Sequence, residues 1–90
     1  MKYVMLYEPD PAAPAEKRAA LFPQHQAWYG EFYARGELLM IGPFTDGTSG
    51  AMGMFTTREA AEAFIAGDPF VANGIVRAWR ILEWNEVLYR

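Results

Sequence analysis

The chain has 90 residues, of which 52% are hydrophobic, a formal net charge of -3 and no cysteine. This length suits one small domain over residues 1–90, and the apolar content argues against disorder. Nucleic acid is not expected as a partner, because phosphate binding needs clustered Lys and Arg and the sequence has no such cluster. Disulfides, thiolate metal sites and thiol catalysis are excluded without cysteine. No apolar run reaches the roughly 20 residues that span a bilayer, and the first residues are typical of a strand, not a signal peptide. We therefore expect a cytoplasmic protein with no membrane partner.

The first predicted strand runs from Tyr3 to Tyr7 and ends at a Pro-rich segment. Its residues are apolar on both faces, with Tyr3, Met5 and Tyr7 on one and Val4 and Leu6 on the other. A strand that is apolar on both faces is typical of the centre of a sheet that is covered on both sides.

A helical pattern begins at Ala15, and Pro23 interrupts it. The proline predicts a short helix that ends near Leu21 and a second helix that begins close to Pro23. Gly36 is expected to end this second helix as a left-handed cap. Residues spaced i, i+3, i+4 and i+7 form one inward face of the second helix. These residues are His25, Trp28, Tyr29 and Phe32.

The second half of the chain predicts a hairpin, a helix, one further helical turn and a last strand. Thr57 is the expected N-cap of the helix, with a capping box of Thr56 and Glu59 as the alternative, and Asp68 is expected to cap the turn that begins at Pro69. The predicted bounds are Leu38–Phe44 and Ala51–Phe55 for the hairpin strands, Arg58–Ala66 for the helix, and Ile75–Trp84 for the last strand. The order is βαββαβ, which predicts an α+β, ferredoxin-like fold with an antiparallel four-stranded sheet and two helices on one face. Because no element remains to cover the other apolar face, we expect a homodimer with stacked sheets.

His25 is the only histidine, and its helical position turns it towards the sheet. Such a histidine is either a core residue bonded to a backbone carbonyl or a general acid or base. Asp68 is either only a cap of the Pro69 turn or, in addition, the acceptor that orients His25. The two roles of Asp68 are compatible because a carboxylate has two oxygens. The predicted catalytic residues are therefore His25 and Asp68.

Aromatic residues are the next candidates for a site. They either line a pocket for a flat apolar ligand or belong to the core. These aromatic residues are Tyr7, Trp28, Tyr29 and Tyr33. Arg77 or Arg80 could anchor a carboxylate, although a solvated edge charge is the simpler interpretation. The sequence has no metal-ligand spacing, P-loop or dinucleotide fingerprint, so neither a metal nor another cofactor is expected.

Several short segments together resemble the YciI-like (YCII-related) family, and they cover nearly the whole chain in the family's order. The segments are Lys2-Tyr3-Val4-Met5-Leu6-Tyr7, His25, Gly36-Glu37-Leu38, Gly42-Pro43-Phe44, Thr57 with Glu59-Ala60, Asp68-Pro69-Phe70-Val71 and Gly74-Ile75. Relatives often carry a basic residue beside the proline that precedes the histidine, and this chain has Phe22 and Gln24 around Pro23.

The resemblance implies a dimeric α/β barrel with a paired His and Asp at the active site, matching His25 and Asp68. It also implies that Gly42 and Pro43 lie beside the pocket. The predicted substrate-binding residues are Tyr7, Trp28, Tyr29, Gly42, Pro43 and, in the matched segment that follows Asp68, Phe70. Some relatives act as dehydrochlorinases on chlorinated aromatic compounds. The expected function is proton transfer by the His–Asp pair on a small cyclic or aromatic compound, in a lyase, isomerase or dehydrochlorinase reaction. The alternatives are a dimer that binds a small molecule without catalysis, a bare dimerisation domain, and a monooxygenase of the antibiotic-biosynthesis type.

Overall fold

The computed structural model describes all 90 residues, and they form four strands and three helices. The strands are β1 (Lys2–Pro9), β2 (Leu38–Pro43), β3 (Ala51–Phe55) and β4 (Val76–Trp84). The helices are α1 (Ala15–Ala34), α2 (Arg58–Gly67) and the short α3 (Pro69–Ala72). The predicted βαββαβ order and the antiparallel four-stranded sheet are confirmed, with strand order β2-β3-β1-β4.

β1 occupies the centre of the sheet, as its two apolar faces predict. It pairs antiparallel with β3 through Met5 opposite Gly53, and with β4 through Met5 opposite Ile81. Its residues Met5 and Tyr7 are buried beneath the helices in one apolar cluster with Phe55 and Phe64. The core therefore lies between one face of the sheet and the helices. Tyr7, in the C-terminal half of β1, lies at the edge of this core.

α1 is one continuous helix, so the predicted break between Leu21 and Pro23 is wrong. A proline inside a helix removes the hydrogen bond to the carbonyl four residues earlier, here that of Ala19. Both Pro23 and Ala19 are exposed, so water can satisfy the freed carbonyl. The helix continues through Pro23 because the missing hydrogen bond lies on its solvent side, while its inward side stays packed.

The end of α1 is built as predicted, around Gly36 at φ 77°. The N–H of Gly36 donates to the carbonyl of Tyr33 and that of Glu37 to the carbonyl of Phe32, at 3.0 Å each. These two bonds form a Schellman motif, which needs a residue in the left-handed region and therefore favours glycine. The motif turns the chain directly into β2.

The second face of the sheet carries no helix. The register places Val4, Met54 and Leu82 together on this face, and Met40 and Trp84 extend it. Met40, Leu82 and Trp84 are 58%, 43% and 48% exposed. The chain thus leaves an apolar sheet face in contact with solvent. None of its helices is both long and apolar enough to cross a membrane.

Candidate active site

Three separate elements bring polar side chains to one point beneath the helices. Tyr7 comes from β1, His25 from the middle of α1, and Asp68 from the junction between α2 and α3. Asp68 is completely buried, and His25 and Tyr7 are 8% and 5% exposed. A buried carboxylate is costly unless it is fully hydrogen-bonded, so its partners decide whether this cluster is stable.

The local sequence fixes the backbone around Asp68. α2 ends at Gly67, and Asp68 adopts an extended conformation with ψ 122°, as a residue before a proline prefers. Its Oδ1 accepts the Phe70 N–H at 3.0 Å, which caps α3 with Pro69 in the first turn. The predicted capping role is therefore present, and it leaves further lone pairs of the carboxylate for other donors.

Those lone pairs accept from two residues distant in sequence. His25 Nδ1 lies 2.7 Å from Asp68 Oδ1, and the Tyr7 hydroxyl donates to Asp68 Oδ2 over 2.7 Å. Because a carboxylate only accepts, this contact places the hydrogen of a neutral His25 on Nδ1. The lone pair of such an imidazole is then on Nε2.

Nε2 of His25 is the free end of this chain of hydrogen bonds. Every buried side-chain nitrogen or oxygen in the protein has a hydrogen-bond partner. The only hydrogen bond of the His25 ring is made by Nδ1, so Nε2 is at an accessible surface. The arrangement buries the orienting half of the imidazole and exposes the half that can accept or donate a proton.

Aromatic rings hold the imidazole plane in place. Phe70 stacks on His25 with ring centroids 4.0 Å apart and planes 7° from parallel. Tyr29 meets the same imidazole edge-on at 5.2 Å. With one face covered and Nδ1 bonded, the ring has little freedom to rotate, so Nε2 keeps a fixed direction.

Tyr7 is held in its protonated form. Burial, together with the negative charge of Asp68 and the hydrogen bond to it, raises the pKa of Tyr7 far above its usual value of 10. The hydroxyl is consequently a permanent donor to Asp68 at physiological pH. This hydrogen bond fixes the orientation of the Asp68 carboxylate, whose other oxygen bonds to His25.

A cavity of ≈ 490 Å³ adjoins the imidazole. Ligand pockets in proteins are typically about 300–1,000 Å³. Since a cavity of about 150 Å³ can hold benzene, this one has room for a substituted ring compound. Among the residues of its wall are Tyr7, His25, Tyr29, Gly42, Pro43 and Phe70.

Trp28 is not on the cavity wall, contrary to its prediction as a ligand-binding residue. Its indole Nε1 donates to the carbonyl of Phe64 at 2.9 Å. The ring lies so close to Gly67 that a Cβ there would be 2.3 Å from Cζ2. Trp28 thus packs α1 against α2 beside Asp68. Tyr33, another aromatic candidate on α1, is 66% exposed and lies outside the wall as well.

Arg18 and Phe22 are among the cavity residues that sequence reasoning missed. Both lie on the first half of α1, and they continue the His25 face at i, i+4 and i+7 from Arg18. The predicted break at Pro23 separated them from that face, so the spacing signal was present but unused. Arg77, by contrast, pairs with Glu8 at 2.8 Å on the surface.

No group of three or more His, Cys, Asp or Glu side chains is arranged to hold a metal ion. The ionisable groups that meet at the site are Tyr7, His25 and Asp68. Together they offer one proton-transferring atom, His25 Nε2, with two residues behind it.

Comparison with known proteins places the sequence in a family. The model of the YCII-related domain matches residues 1–85. No functionally curated protein sequence matches this chain.

Solved structures share the fold at low sequence identity. The 5-chloro-2-hydroxyhydroquinone dehydrochlorinase of Burkholderia phenoliruptrix AC1100, in complex with 2,5-dihydroxybenzoquinone, superposes with a TM-score of 0.74 at 18% identity, with 94% of each chain covered. A dimeric ferredoxin-like protein of unknown function from Bacteroides fragilis NCTC 9343 gives 0.52 at 12% identity over 90% of each chain. An Arabidopsis thaliana protein gives 0.51 at 14% identity, covering 99% of this chain and 97% of its own.

Proposed function

The chain belongs to the YCII-related domain family, and we propose that it is a proton-transfer enzyme acting on a small cyclic or aromatic compound. His25 is the general base and acid, and Asp68 is a positioning residue that acts through it. The observation that carries this proposal is the accessible Nε2 of an imidazole whose Nδ1 is bonded to a buried carboxylate beside a ligand-sized cavity.

In an elimination, Nε2 removes a proton from a ring carbon. The electron pair of that C–H bond forms the new double bond, and the leaving group on the neighbouring carbon departs with its own bonding pair. In an isomerisation, the same proton returns to a different carbon. In both reactions His25 becomes positively charged, and the negative Asp68 stabilises that charge through Nδ1.

Tyr7 supports the pair as a second positioning residue. Its hydroxyl occupies Asp68 Oδ2, while Oδ1 receives His25 and the Phe70 amide. The carboxylate is thus fixed by three donors, one of which is the catalytic imidazole. A base that keeps its direction loses less free energy to reorientation before proton transfer.

The kind of ring compound is suggested by the dehydrochlorinase with the same fold, whose structure contains 2,5-dihydroxybenzoquinone. A hydroxylated six-membered ring fits the volume and the aromatic wall of the cavity here. The elimination or isomerisation described above is therefore proposed to take place on a ring of this kind.

The test uses a panel of hydroxylated and chlorinated six-membered rings in D₂O, with 2,5-dihydroxybenzoquinone as the binding probe. NMR reports deuterium incorporation and product formation together. The wild-type protein is expected to turn over a member of the panel, and His25→Gln to lower kcat by about 10²–10⁴-fold. Tyr33→Phe is the matched control, because Tyr33 is an exposed aromatic residue of the same helix outside the cavity.

Undiminished turnover by His25→Gln would refute the catalytic role. If ligands raise the melting temperature but no compound exchanges or reacts, the pocket is a binding site and the non-catalytic alternative holds.

We also propose that two copies stack through the sheet face that bears Met40, Leu82 and Trp84. These residues are apolar and exposed, and a dimer is known among proteins of this fold. Face-to-face sheets pack about 10 Å apart through such side chains. Leu82→Arg is expected to convert the dimer into a monomer in light scattering, whereas Leu88→Arg in the exposed tail leaves it intact. A monomeric wild-type protein contradicts the proposal.

A further inference from the structure

The cavity wall carries a single formal charge besides the His25 ring. Arg18 is the only Lys, Arg, Asp or Glu among the lining residues. Asp68, the nearest acid to the imidazole, is completely buried behind it. A ligand in the cavity therefore meets one guanidinium and no exposed carboxylate, which favours an anion.

Arg18 has no partner within the protein. Arg35 and Arg77 form ion pairs with Glu37 and Glu8, and Arg58 lies over the Tyr3 ring. The guanidinium of Arg18 makes no ion pair, side-chain hydrogen bond or aromatic contact. It consequently has all its donors free for the planar, two-point recognition of a carboxylate.

The helix sets the spacing between this cation and the base. Arg18, Phe22 and His25 lie at i, i+4 and i+7 on α1, so they share one face. Seven residues span about 10.5 Å along a helix. Phe22 lies between the two, and its ring centroid is 6.2 Å from that of His25.

From this alignment we infer that Arg18 selects elongated ligands that carry an ionised carboxylate at the end remote from His25. The carboxylate binds the guanidinium, the planar part of the ligand lies over Phe22, and the opposite end reaches Nε2. The inference rests on the proposed function for the identity of that opposite end. It narrows the substrate class to unsaturated or aromatic acids, with recognition and chemistry at different turns of one helix.

The experiment compares cinnamate with its neutral counterpart cinnamamide by isothermal titration calorimetry. Wild-type protein is expected to bind cinnamate more tightly than the amide. Arg18→Gln is expected to raise the Kd for cinnamate about tenfold and to leave the Kd for cinnamamide within about twofold. Arg18→Lys retains part of the preference, because an ammonium group keeps the charge and loses the two-point geometry.

Lys17→Gln is the matched control. It removes the same charge one residue away, and Lys17 is exposed and does not line the cavity. If Lys17→Gln weakens cinnamate as much as Arg18→Gln, the preference comes from net charge and the inference is overturned. Equal loss for acid and amide in Arg18→Gln, no loss for either, or no binding of cinnamate by the wild type overturns it as well.

The same titration in a His25→Gln background separates this inference from the proposed function. The preference for cinnamate over cinnamamide is expected to persist there, because Arg18 and its surroundings are unchanged. Persistence without any turnover by the wild type would leave the anion site standing and remove the catalytic proposal. Loss of the preference in His25→Gln would mean that the imidazole, not Arg18, recognises the acid, and would overturn the inference.

Discussion

Asp46 and Asp68 each cap a turn, but they receive their hydrogen bonds from very different distances along the chain. Asp46 Oδ1 accepts the amides of Thr48 and Ser49 at 2.9 and 2.8 Å, and Oδ2 accepts the Ser49 hydroxyl. Asp68 accepts one local amide, from Phe70, and two side chains 43 and 61 residues away. Each carboxylate accepts three hydrogen bonds, yet only Asp68 joins three elements of the fold.

The difference lies in burial and in the kind of donor. Asp46 lies exposed in the β2–β3 hairpin, where water can replace any bond that it loses. Asp68 is completely buried, so no water can substitute for His25 or Tyr7. Packing therefore gives a capping aspartate long-range partners when it supplies distant donors and removes solvent, and the positioning role proposed for Asp68 rests on those partners.

The largest contrast is expected for Asp68→Asn against Asp46→Asn. The side-chain amide introduced by Asp68→Asn would offer an N–H₂ to one of the two former donors, which favours the wrong tautomer of His25. We expect kcat to fall by about 10²–10⁴-fold and the free energy of unfolding to fall by about 1–3 kcal/mol. Asp46→Asn should leave kcat unchanged.

Steady-state kinetics on the substrate found for the wild type, with urea unfolding of both variants, provide the measurement. Rescue of the Asp68→Asn rate by raising pH would argue for a changed base and against a changed tautomer. Equal activity in the two variants would show that Asp68 is a cap and nothing more.

The second prediction concerns Tyr7→Phe and its effect on the free energy of unfolding. It leaves Asp68 Oδ2 without its donor, which costs about 1–3 kcal/mol of stability. Since the pKa of Tyr7 is raised in the folded state, the contribution of this tyrosine to stability is fully present below about pH 10, its pKa in the unfolded chain, and is lost as the pH rises above that value.

Tyr7→Phe should remove that part of the alkaline loss, and urea unfolding between about pH 8 and 11 measures it. Tyr33→Phe changes an exposed tyrosine and should retain the wild-type slope. Parallel slopes in wild type and Tyr7→Phe would contradict the buried hydrogen bond.

The smallest effect concerns Asp46 and acid. The hydrogen bonds from Ser49 and Thr48 lower the pKa of Asp46 from 3.8 to about 2. Because the pKa of Asp46 is lower in the folded than in the unfolded chain, this carboxylate stabilises the folded state at pH values above its unfolded pKa. That contribution is lost as the pH falls from about 4 to about 2. Asp46→Asn should be less sensitive than the wild type in that window, with Glu62→Gln as the control. If Asp46→Asn lost stability in acid just as the wild type does, the hydrogen bonds of this turn to the carboxylate would not be present in solution.

Local patterns alone were sufficient for much of the fold. The caps at Thr57 and Asp68 and the left-handed end at Gly36 follow from nearest neighbours. The central position of β1 follows from its apolar residues on both faces. The inward position of His25 follows from helical spacing. The caps and the helix end depend on hydrogen bonds over two to five residues, which a short segment largely specifies by itself.

Pro23 shows where local reasoning fails. Proline disfavours a helix interior, yet α1 continues through it because the cost falls on an exposed carbonyl. The mistaken break also hid Arg18 and Phe22 from the His25 face. Trp28 has the same inward spacing as His25 but packs against Gly67, so helical spacing does not separate a packing residue from a cavity residue.

By itself the sequence determined the order of the elements, the turn chemistry and the side of α1 that bears His25, since each is encoded in residues close together in the chain. Only the tertiary structure decided that Asp68 is the acid that meets His25, that Tyr7 completes the cluster, and that Arg18 faces the same cavity. These contacts depend on how the helices pack on the sheet, because partners 43 and 61 residues apart are brought together only by the packing of the whole core.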